Sequence, residues 1–284
     1  MEEKFKIAGI DILFDMPQEY VRGELGYLTP FVSESVQKEP HRYSVSLVNL
    51  VDSPRGMLGK AEPGLQIYQD GQWEYRYRGA ATNNAFTAYM RTAHSGKEHL
   101  VQLHRDYASW LGDKMMMEAM ALDHLLAQEG GILLHASFVA YQDRAIIFTA
   151  PSGTGKSTQA DLWVKYRNAE LINGDRVCIR VTEEGVFAYG VPFAGSSQIA
   201  KNKTLPVTSV ICLEQAQETS VRRVNGFQAF RRIWEGCALN PSNESDMMKA
   251  SGVVQRILEE VPVLLLACTP DETAITALEE MLSD

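Results

Sequence analysis

The stretch APSGTGKST, residues 150–158, combines small residues, a lysine and hydroxyl side chains in a spacing that suits a phosphate group. The apolar residues AIIFT precede it, and QADLWVKY follows it. A phosphate-binding loop needs a strand, a tight turn with inward backbone N–H groups, and a helix whose N-terminus points at the anion. The stretch therefore predicts a site for a nucleoside triphosphate.

Individual residues of this stretch have separate expected roles. Gly153 and Gly155 provide the turn, and Lys156 lies where a lysine reaches the β- and γ-phosphates. Ser157 lies where a hydroxyl binds Mg²⁺. Ala150 replaces the first glycine of the G-x-x-x-x-G-K-[ST] pattern, and a small side chain is tolerated there if φ is negative. Further contacts with the phosphates are expected from Ser152, Thr154 and Thr158.

Two common classes of P-loop protein find no support in the sequence. A GTPase needs N-K-x-D, but NKTL (202–205) has Leu205 in the aspartate position. No LSGGQ signature of a transporter ATPase and no strong Walker B strand are present. The nearest acid after the loop is Asp175, at a strand edge within ELINGDRVCI (170–179). Because a P-loop enzyme needs a carboxylate near the metal or the attacking hydroxyl, Asp175 is the candidate.

The elements around these residues suggest two regions within the 284 residues. Residues 1–110 contain HRYSVSLVNL and LQIYQDGQWEYRYRG, which are rich in aromatic and β-branched residues, with a hairpin signal at Asp70-Gly71. We expect a β-rich N-terminal region of unknown role. Residues 111–284 are expected to form the catalytic domain, so that the whole chain is of the α+β or α/β class.

Within the second region, DKMMMEAMALDHLLAQEGG (113–131) predicts a helix with Asp113 as its N-cap. Strands and helices then alternate in a pattern that predicts a mixed sheet. Strands are predicted at 132–141, 145–149, 177–182, 186–190, 207–213 and 262–267. Helices are predicted at 157–167, 226–235, 244–260 and within 270–282.

Composition limits the partners and the compartment. The net charge of −9 argues against nucleic acid or an anionic membrane as the main partner. The four cysteines show no spacing of a zinc site or a disulfide framework. The N-terminus lacks the pattern of a signal peptide, and the apolar run VPVLLLAC (261–268) is too short to span a membrane. We expect a cytoplasmic protein, and a homo-oligomer is left open.

Several segments together resemble a known family, the C-terminal catalytic domain of HPr kinase/phosphorylase and its relatives in the phosphoenolpyruvate-carboxykinase-like group of P-loop proteins. The resemblance covers residues 130–270. It rests on LLHASFVAYQDRAIIFTAPSGTGKST, LINGDRVCI, YGVPFAGSS and VPVLLLACTPD. It implies an HPr-kinase-like P-loop domain and an ATP-dependent, Mg²⁺-assisted kinase that phosphorylates a hydroxyl.

The resemblance also implies roles for individual residues. Lys156 would hold the phosphates, Ser157 would bind Mg²⁺, and His135 would lie beside the phosphates. Asp175 would bind Mg²⁺ or act as the general base, with His135 as the less favoured base. The small residues of YGVPFAGSS suggest substrate contacts through Ser196 or Ser197. A further cation should stabilise the transferring group, and the candidates are Arg176, Lys201, Lys203, Arg222 and Arg223.

The chain also departs from true HPr kinases. Those enzymes carry two adjacent aspartates where this chain has Gly174-Asp175, and their E-x-R-G-L-G signature is missing here. HPr is therefore not the expected substrate; a small molecule or a serine in a peptide or protein is. The alternative function is an ATP-binding sensor or interaction module with little or no turnover. The reverse, phosphate-consuming reaction of the family is left open.

Overall fold

The computed structural model describes residues 1–37, 39–79, 88–93 and 96–283. The chain has an α+β fold and divides into two compact units. The first unit consists of Met1–Gln128 and Asn240–Met247, and the second of Glu129–Leu239 and Met248–Asp284. This division lies later in the chain than the predicted boundary near residue 110. Among the described residues, none of the helices combines the length and the apolar character needed to cross a membrane.

The first unit is built on one eight-stranded sheet. Its strands are β1 (Glu2–Ile7), β2 (Ile10–Asp15), β3 (His41–Val48), β4 (Met57–Glu62), β5 (Leu65–Asp70), β6 (Trp73–Arg78), β7 (Ala88–Ala93) and β8 (Glu98–His104). They lie in the order β1-β2-β3-β8-β7-β6-β5-β4, with β3 parallel to both β2 and β8 and the other pairs antiparallel. The predicted hairpin at Asp70-Gly71 is confirmed, with Gly71 at φ 57°. The β1–β2 hairpin was not predicted from the sequence.

The single helix predicted over residues 113–131 is instead two helices, so that prediction is wrong. They are α1 (Asp113–Met120) and α2 (Leu122–Gln128). Ala121 between them has left-handed angles, φ 44° and ψ 57°, which no α-helix interior accepts. The N-cap of α1 is Gly112, and Asp113 is the first helical residue.

The second unit contains a mixed sheet and the remaining helices. Its strands are β9 (Gly131–Tyr141), β10 (Arg144–Thr149), β11 (Glu170–Asn173), β12 (Arg176–Thr182), β13 (Gly185–Tyr189), β14 (Thr204–Gln215), β15 (Ser220–Arg223) and β16 (Val263–Cys268). The helices are α3 (Lys156–Arg167), α4 (Gly226–Trp234), α5 (Glu244–Glu260), whose first turn belongs to the first unit, and α6 (Glu272–Ser283). The strands and helices predicted here, and the mixed sheet, are confirmed with small shifts of their ends.

Alternating side chains on the strands of the second unit form two separate cores. On one face, Ile147, Val210 and Leu265 pack with Ile233 of α4 and Val254 of α5. On the other face, residues of the same strands pack with helices α3 and α6; they include Phe148, Ile211, Leu266, Trp163 and Ile275. Because α3 is fixed by its buried face, its N-terminus is held at one end of β10.

The strand pairings bring several chain segments to one edge of the sheet. Strand β10 runs parallel to β14, and β14 runs parallel to β16, so their carboxyl ends meet at the same edge. Strand β9 is antiparallel to β10 and pairs Ala136 with Thr149, which places His135 beside the end of β10. The first half of β9 pairs with β12, where Arg176 lies opposite His135.

Candidate functional site

The glycine-rich loop, residues 150–155, connects the carboxyl end of β10 to the first turn of α3. Gly153 and Gly155 adopt φ values of 79° and 118°, a region that favours glycine. A Cβ atom at either position would meet no atom within 4 Å, so the loop faces open space there. The backbone turn, and not crowding, therefore requires these glycines.

Lys156 is bent back over the loop from which it follows. Its Nζ donates hydrogen bonds to the carbonyl oxygens of Ala150 at 2.9 Å and Pro151 at 3.2 Å. The residue is only 6% exposed, and burial lowers the pKa of its ammonium group while the charge of Asp175 opposes that shift. The ammonium group thus stays next to the loop and within the field of Asp175.

The hydroxyl residues of the predicted site differ in exposure. Ser157 and Thr158 belong to the first turn of α3 and are exposed, as is Ser152 in the loop, whereas Thr154 is half-buried. The first N–H groups of a helix have no partner within the helix and carry a partial positive charge. These N–H groups and hydroxyls therefore suit an anion. The Ser157 hydroxyl is exposed, so a metal ion can approach it.

His135 and Asp175, to which the family resemblance assigns separate roles, lie side by side. His135 Nδ1 donates a hydrogen bond to the carbonyl oxygen of Asp175 at 3.0 Å and lies 3.6 Å from Asp175 Oδ1. When the ring is neutral, this bond places the proton on Nδ1 and leaves Nε2 as an acceptor. Both side chains are about one-third exposed, at 34% each, so a substrate can reach them.

Asn173, which the sequence did not single out, fixes the loop 190–200 beside Asp175. Its buried Nδ2 donates to the carbonyl oxygens of Val191 at 2.9 Å and Phe193 at 3.1 Å, and its Oδ1 accepts from Val191 N at 2.9 Å. No sequence signal identifies this role, because it depends on three contacts from a distant segment. Gly195 in the same loop packs directly against Asp175.

The predicted substrate residues do not all present free groups. Ser197 Oγ donates to the Ala194 carbonyl oxygen at 2.7 Å and accepts from Ile199 N at 3.2 Å, so it stabilises its own turn. Ser196 is exposed in that turn. Arg176 Nε lies 3.5 Å from Asp175 Oδ2, and its guanidinium lies 5.5 Å from the ring centroid of Phe193.

For the other predicted cations, the structure shows contacts with residues outside the glycine-rich loop, or exposure to solvent. Lys201 and Lys203 both pair with Glu170, at 2.7 Å and 2.6 Å. Arg222 and Arg223 are exposed on β15. Among these candidates, Arg176 is the one for which the structure shows a contact with Asp175.

Two cavities adjoin the glycine-rich loop. One of about 260 Å³ continues along α3 past Thr158 and Gln159 to Cys268, the last residue of β16, and to Thr269. The other, of about 520 Å³, lies between residues 151–154 and the end of β14. Both cavities lie against the loop, and their walls combine polar and apolar groups. Sequence patterns could not show them, since their walls come from strands far apart in the chain.

A second cluster of ionisable groups is buried in the first unit. Glu74, His124 and Asp246 have ligand atoms within 4.8 Å of one another, the spacing of a metal site. The Glu74 carboxylate, however, accepts hydrogen bonds from Arg76 Nε at 2.5 Å and Asn243 Nδ2 at 2.9 Å. The carboxylate is thus already occupied, and the cluster is an ion-pair network.

Comparisons with known proteins identify no relative of the whole chain. No family model matches the sequence, and no curated protein matches it. A solved structure, the HPr(Ser) kinase/phosphatase from Coxiella burnetii, aligns with 13% sequence identity and a TM-score of 0.32. The alignment covers 53% of this chain and 87% of that chain. A TM-score at this level does not establish a shared fold, and the family resemblance stays a prediction.

Proposed function

We propose that this chain is an ATP-dependent, Mg²⁺-assisted phosphotransferase that phosphorylates a hydroxyl of a small molecule or a serine in a peptide or protein. The observation that carries the proposal is the arrangement of residues at one edge of the sheet in the second unit. There a glycine-rich loop with a lysine folded over it lies beside the His135–Asp175 pair. Phosphoryl transfer asks a protein mainly for positioning and for neutralisation of charge, and these residues supply both.

The binding part of the proposal uses the loop and the start of α3. Backbone N–H groups of residues 153–157 would hold the phosphates, with added hydrogen bonds from the exposed hydroxyls. Lys156 would leave the carbonyl oxygens of Ala150 and Pro151 and donate to phosphate oxygens, which accept more strongly because they are charged. Ser157 and Asp175 are the residues that would hold Mg²⁺, whose chemistry is to neutralise charge on the phosphates.

The chemical part uses Asp175. Its carboxylate would accept the proton of the acceptor hydroxyl as the oxygen attacks the γ-phosphorus, a role worth about 10²–10⁴-fold in rate. His135 is the second candidate, since its neutral ring offers Nε2 as an acceptor. Asp175 is favoured because its charge also acts on Lys156.

The test is transfer of phosphate to a product. The protein is incubated with Mg²⁺ and ATP and a pooled library of hydroxyl metabolites and serine-containing peptides, and mass spectrometry detects a gain of phosphate. We expect a product that Lys156→Ala and Asp175→Asn both abolish. A product that survives both substitutions would contradict the proposed site.

The second candidate function is a nucleotide-binding sensor. It is favoured by Gly174, which stands where the resembled kinases carry a second aspartate. Under this function the protein binds ATP, and no product forms across the library.

A further inference from the structure

Arg232, a cation that the sequence did not single out, lies beside the glycine-rich loop. It belongs to α4 and lines the cavity of about 520 Å³ together with loop residues 151–154. Leu213, Glu214 and Gln215, at the end of β14, complete the wall. The guanidinium group therefore lies near the loop, although its helix, α4, is far from the loop in the sequence.

The guanidinium group is held in place but retains donors. One of its terminal nitrogens, Nη2, is paired with Glu214 Oε1. The side chain is only 18% exposed, and its buried Nε has no hydrogen-bond partner in the described part of the chain. An arginine has five N–H donors, and leaving a buried one unpaired is costly. Since Nε is itself buried, an anion in the cavity would meet the donors on the two terminal nitrogens of Arg232.

Its position is complementary to that of the proposed base. Strand β10 pairs with β9 on one side and with β14 on the other. The loop after β10 thus has His135 and Asp175 towards β9, and Arg232 towards β14. A phosphoryl group at the first part of the loop would lie between the proposed base, Asp175, and the positive charge of Arg232. Phosphoryl transfer requires both kinds of group.

We propose that Arg232 is a catalytic residue that binds the terminal phosphoryl group of the nucleotide, and that Glu214 orients it. This inference rests on the proposed function. As the bond from the γ-phosphorus to the bridging oxygen breaks and the bond to the acceptor oxygen forms, the acceptor proton passes to Asp175 and ADP leaves. Arg232 donates hydrogen bonds to the non-bridging oxygens of the transferred group throughout.

The test compares two nucleotides, since only one of them has a γ-phosphate for Arg232 to bind. Dissociation constants are measured calorimetrically with Mg²⁺ for ADP and for the β,γ-imido analogue of ATP. For Arg232→Ala we expect roughly a tenfold or greater loss of affinity for the analogue, the size of a charged hydrogen bond, and an ADP affinity within about twofold of wild type. Retained ADP binding also shows that the variant is folded.

Arg231→Ala is the matched control. Arg231 is the neighbouring residue of α4, is 58% exposed and pairs with Glu235. We expect both of its affinities to equal those of wild type. The inference would be overturned, and the proposed function left standing, if Arg232→Ala weakened the binding of both nucleotides equally. The same would follow if Arg232→Ala and Arg231→Ala bound the analogue with equal affinity. Wild-type protein that binds neither nucleotide would overturn the proposed function, and the inference with it.

Discussion

At the scale of single residues, Asp175 is positioned by a close contact with a glycine. A Cβ atom at Gly195 would lie 2.5 Å from Asp175 Cβ and 3.0 Å from its carboxyl carbon, closer than real Cβ contacts. The aspartate also has its carbonyl oxygen held by His135 Nδ1 and by the backbone N–H of Ala136. Because the backbone of Asp175 is held, a side chain at position 195 would push the Asp175 carboxylate out of its present position.

Gly195→Ala should reduce phosphoryl transfer by displacing the Asp175 carboxylate. The alanine also pays for a positive φ of 55°, about 1–2 kcal/mol. Gly226→Ala is the matched control, because Gly226 has the same φ of 55° and its added Cβ would meet nothing within 4 Å. In thermal unfolding we expect both variants to lose the stability that the positive φ costs, and Gly195→Ala to lose more because of its close contact with Asp175; only Gly195→Ala should lose transfer rate. Equal transfer rates in the two variants would show that the contact with Asp175 is unimportant.

At the scale of secondary-structure elements, the strands and helix around the loop follow from local patterns. The apolar runs 132–141 and 145–149 are buried on both faces, which is why continuous runs predicted them correctly. Other features depend on contacts between distant segments. Neither the anchoring of loop 190–200 by Asn173 nor the approach of Arg232 to Glu214 leaves a signal in a short window of sequence.

The break between α1 and α2 shows the same limit. Residues 113–128 have helical periodicity throughout, and only the left-handed angles of Ala121 end α1. An alanine gives no sequence signal for such a conformation, since glycine or asparagine normally takes it.

Ala121→Gly should therefore raise the free energy of unfolding. Relief of the left-handed strain, about 1–2 kcal/mol, outweighs the extra chain entropy of glycine, about 0.5–1 kcal/mol. The matched control is Ala127→Gly in the last turn of α2, where the methyl group is buried as it is at Ala121 and the same change should lower the free energy of unfolding by about 1 kcal/mol. Denaturant unfolding of the two variants measures both signs. A loss of stability in Ala121→Gly equal to that in Ala127→Gly would contradict the strained conformation.

At the scale of the whole molecule, the chain enters the first unit twice. After α4 it returns to that unit with Asn240–Met247 before it continues along α5 in the second unit. Asp246 of this segment accepts a hydrogen bond from His124 Nδ1 at 2.7 Å, and Asn243 donates to Glu74. The predicted boundary near residue 110 could not anticipate this return, because nothing in the composition of 240–247 marks it.

The pKa values of this buried network predict how stability depends on pH. Burial lowers the pKa of His124, but the hydrogen bond to Asp246 and the charge of Glu74 outweigh it, and the net pKa is raised above 6.5. Burial likewise raises the pKa of Glu74, but Arg76 and His124 outweigh it and lower the pKa to about 2. A raised histidine pKa adds stability that is full below the unfolded value and is lost as pH rises through the folded value.

We therefore expect the free energy of unfolding to fall as pH rises past 6.5 through the raised pKa of His124. The contribution of Glu74 is present above its ordinary pKa of 4.5 and is lost as pH falls towards about 2. Urea unfolding of wild type and His124→Asn at a series of pH values separates the histidine effect. A decline of the same size in His124→Asn would assign it to other groups.

The most direct measurement for the proposed function is calorimetric binding of Mg²⁺-ATP to wild type, Lys156→Ala and Lys165→Ala. Lys165 is exposed in the same helix, α3, and serves as the control for loss of one positive charge. We predict that wild type and Lys165→Ala bind with equal affinity and that Lys156→Ala binds at least about tenfold more weakly. Absence of binding by the wild type, or equal binding by all three proteins, would contradict a nucleotide site at the glycine-rich loop.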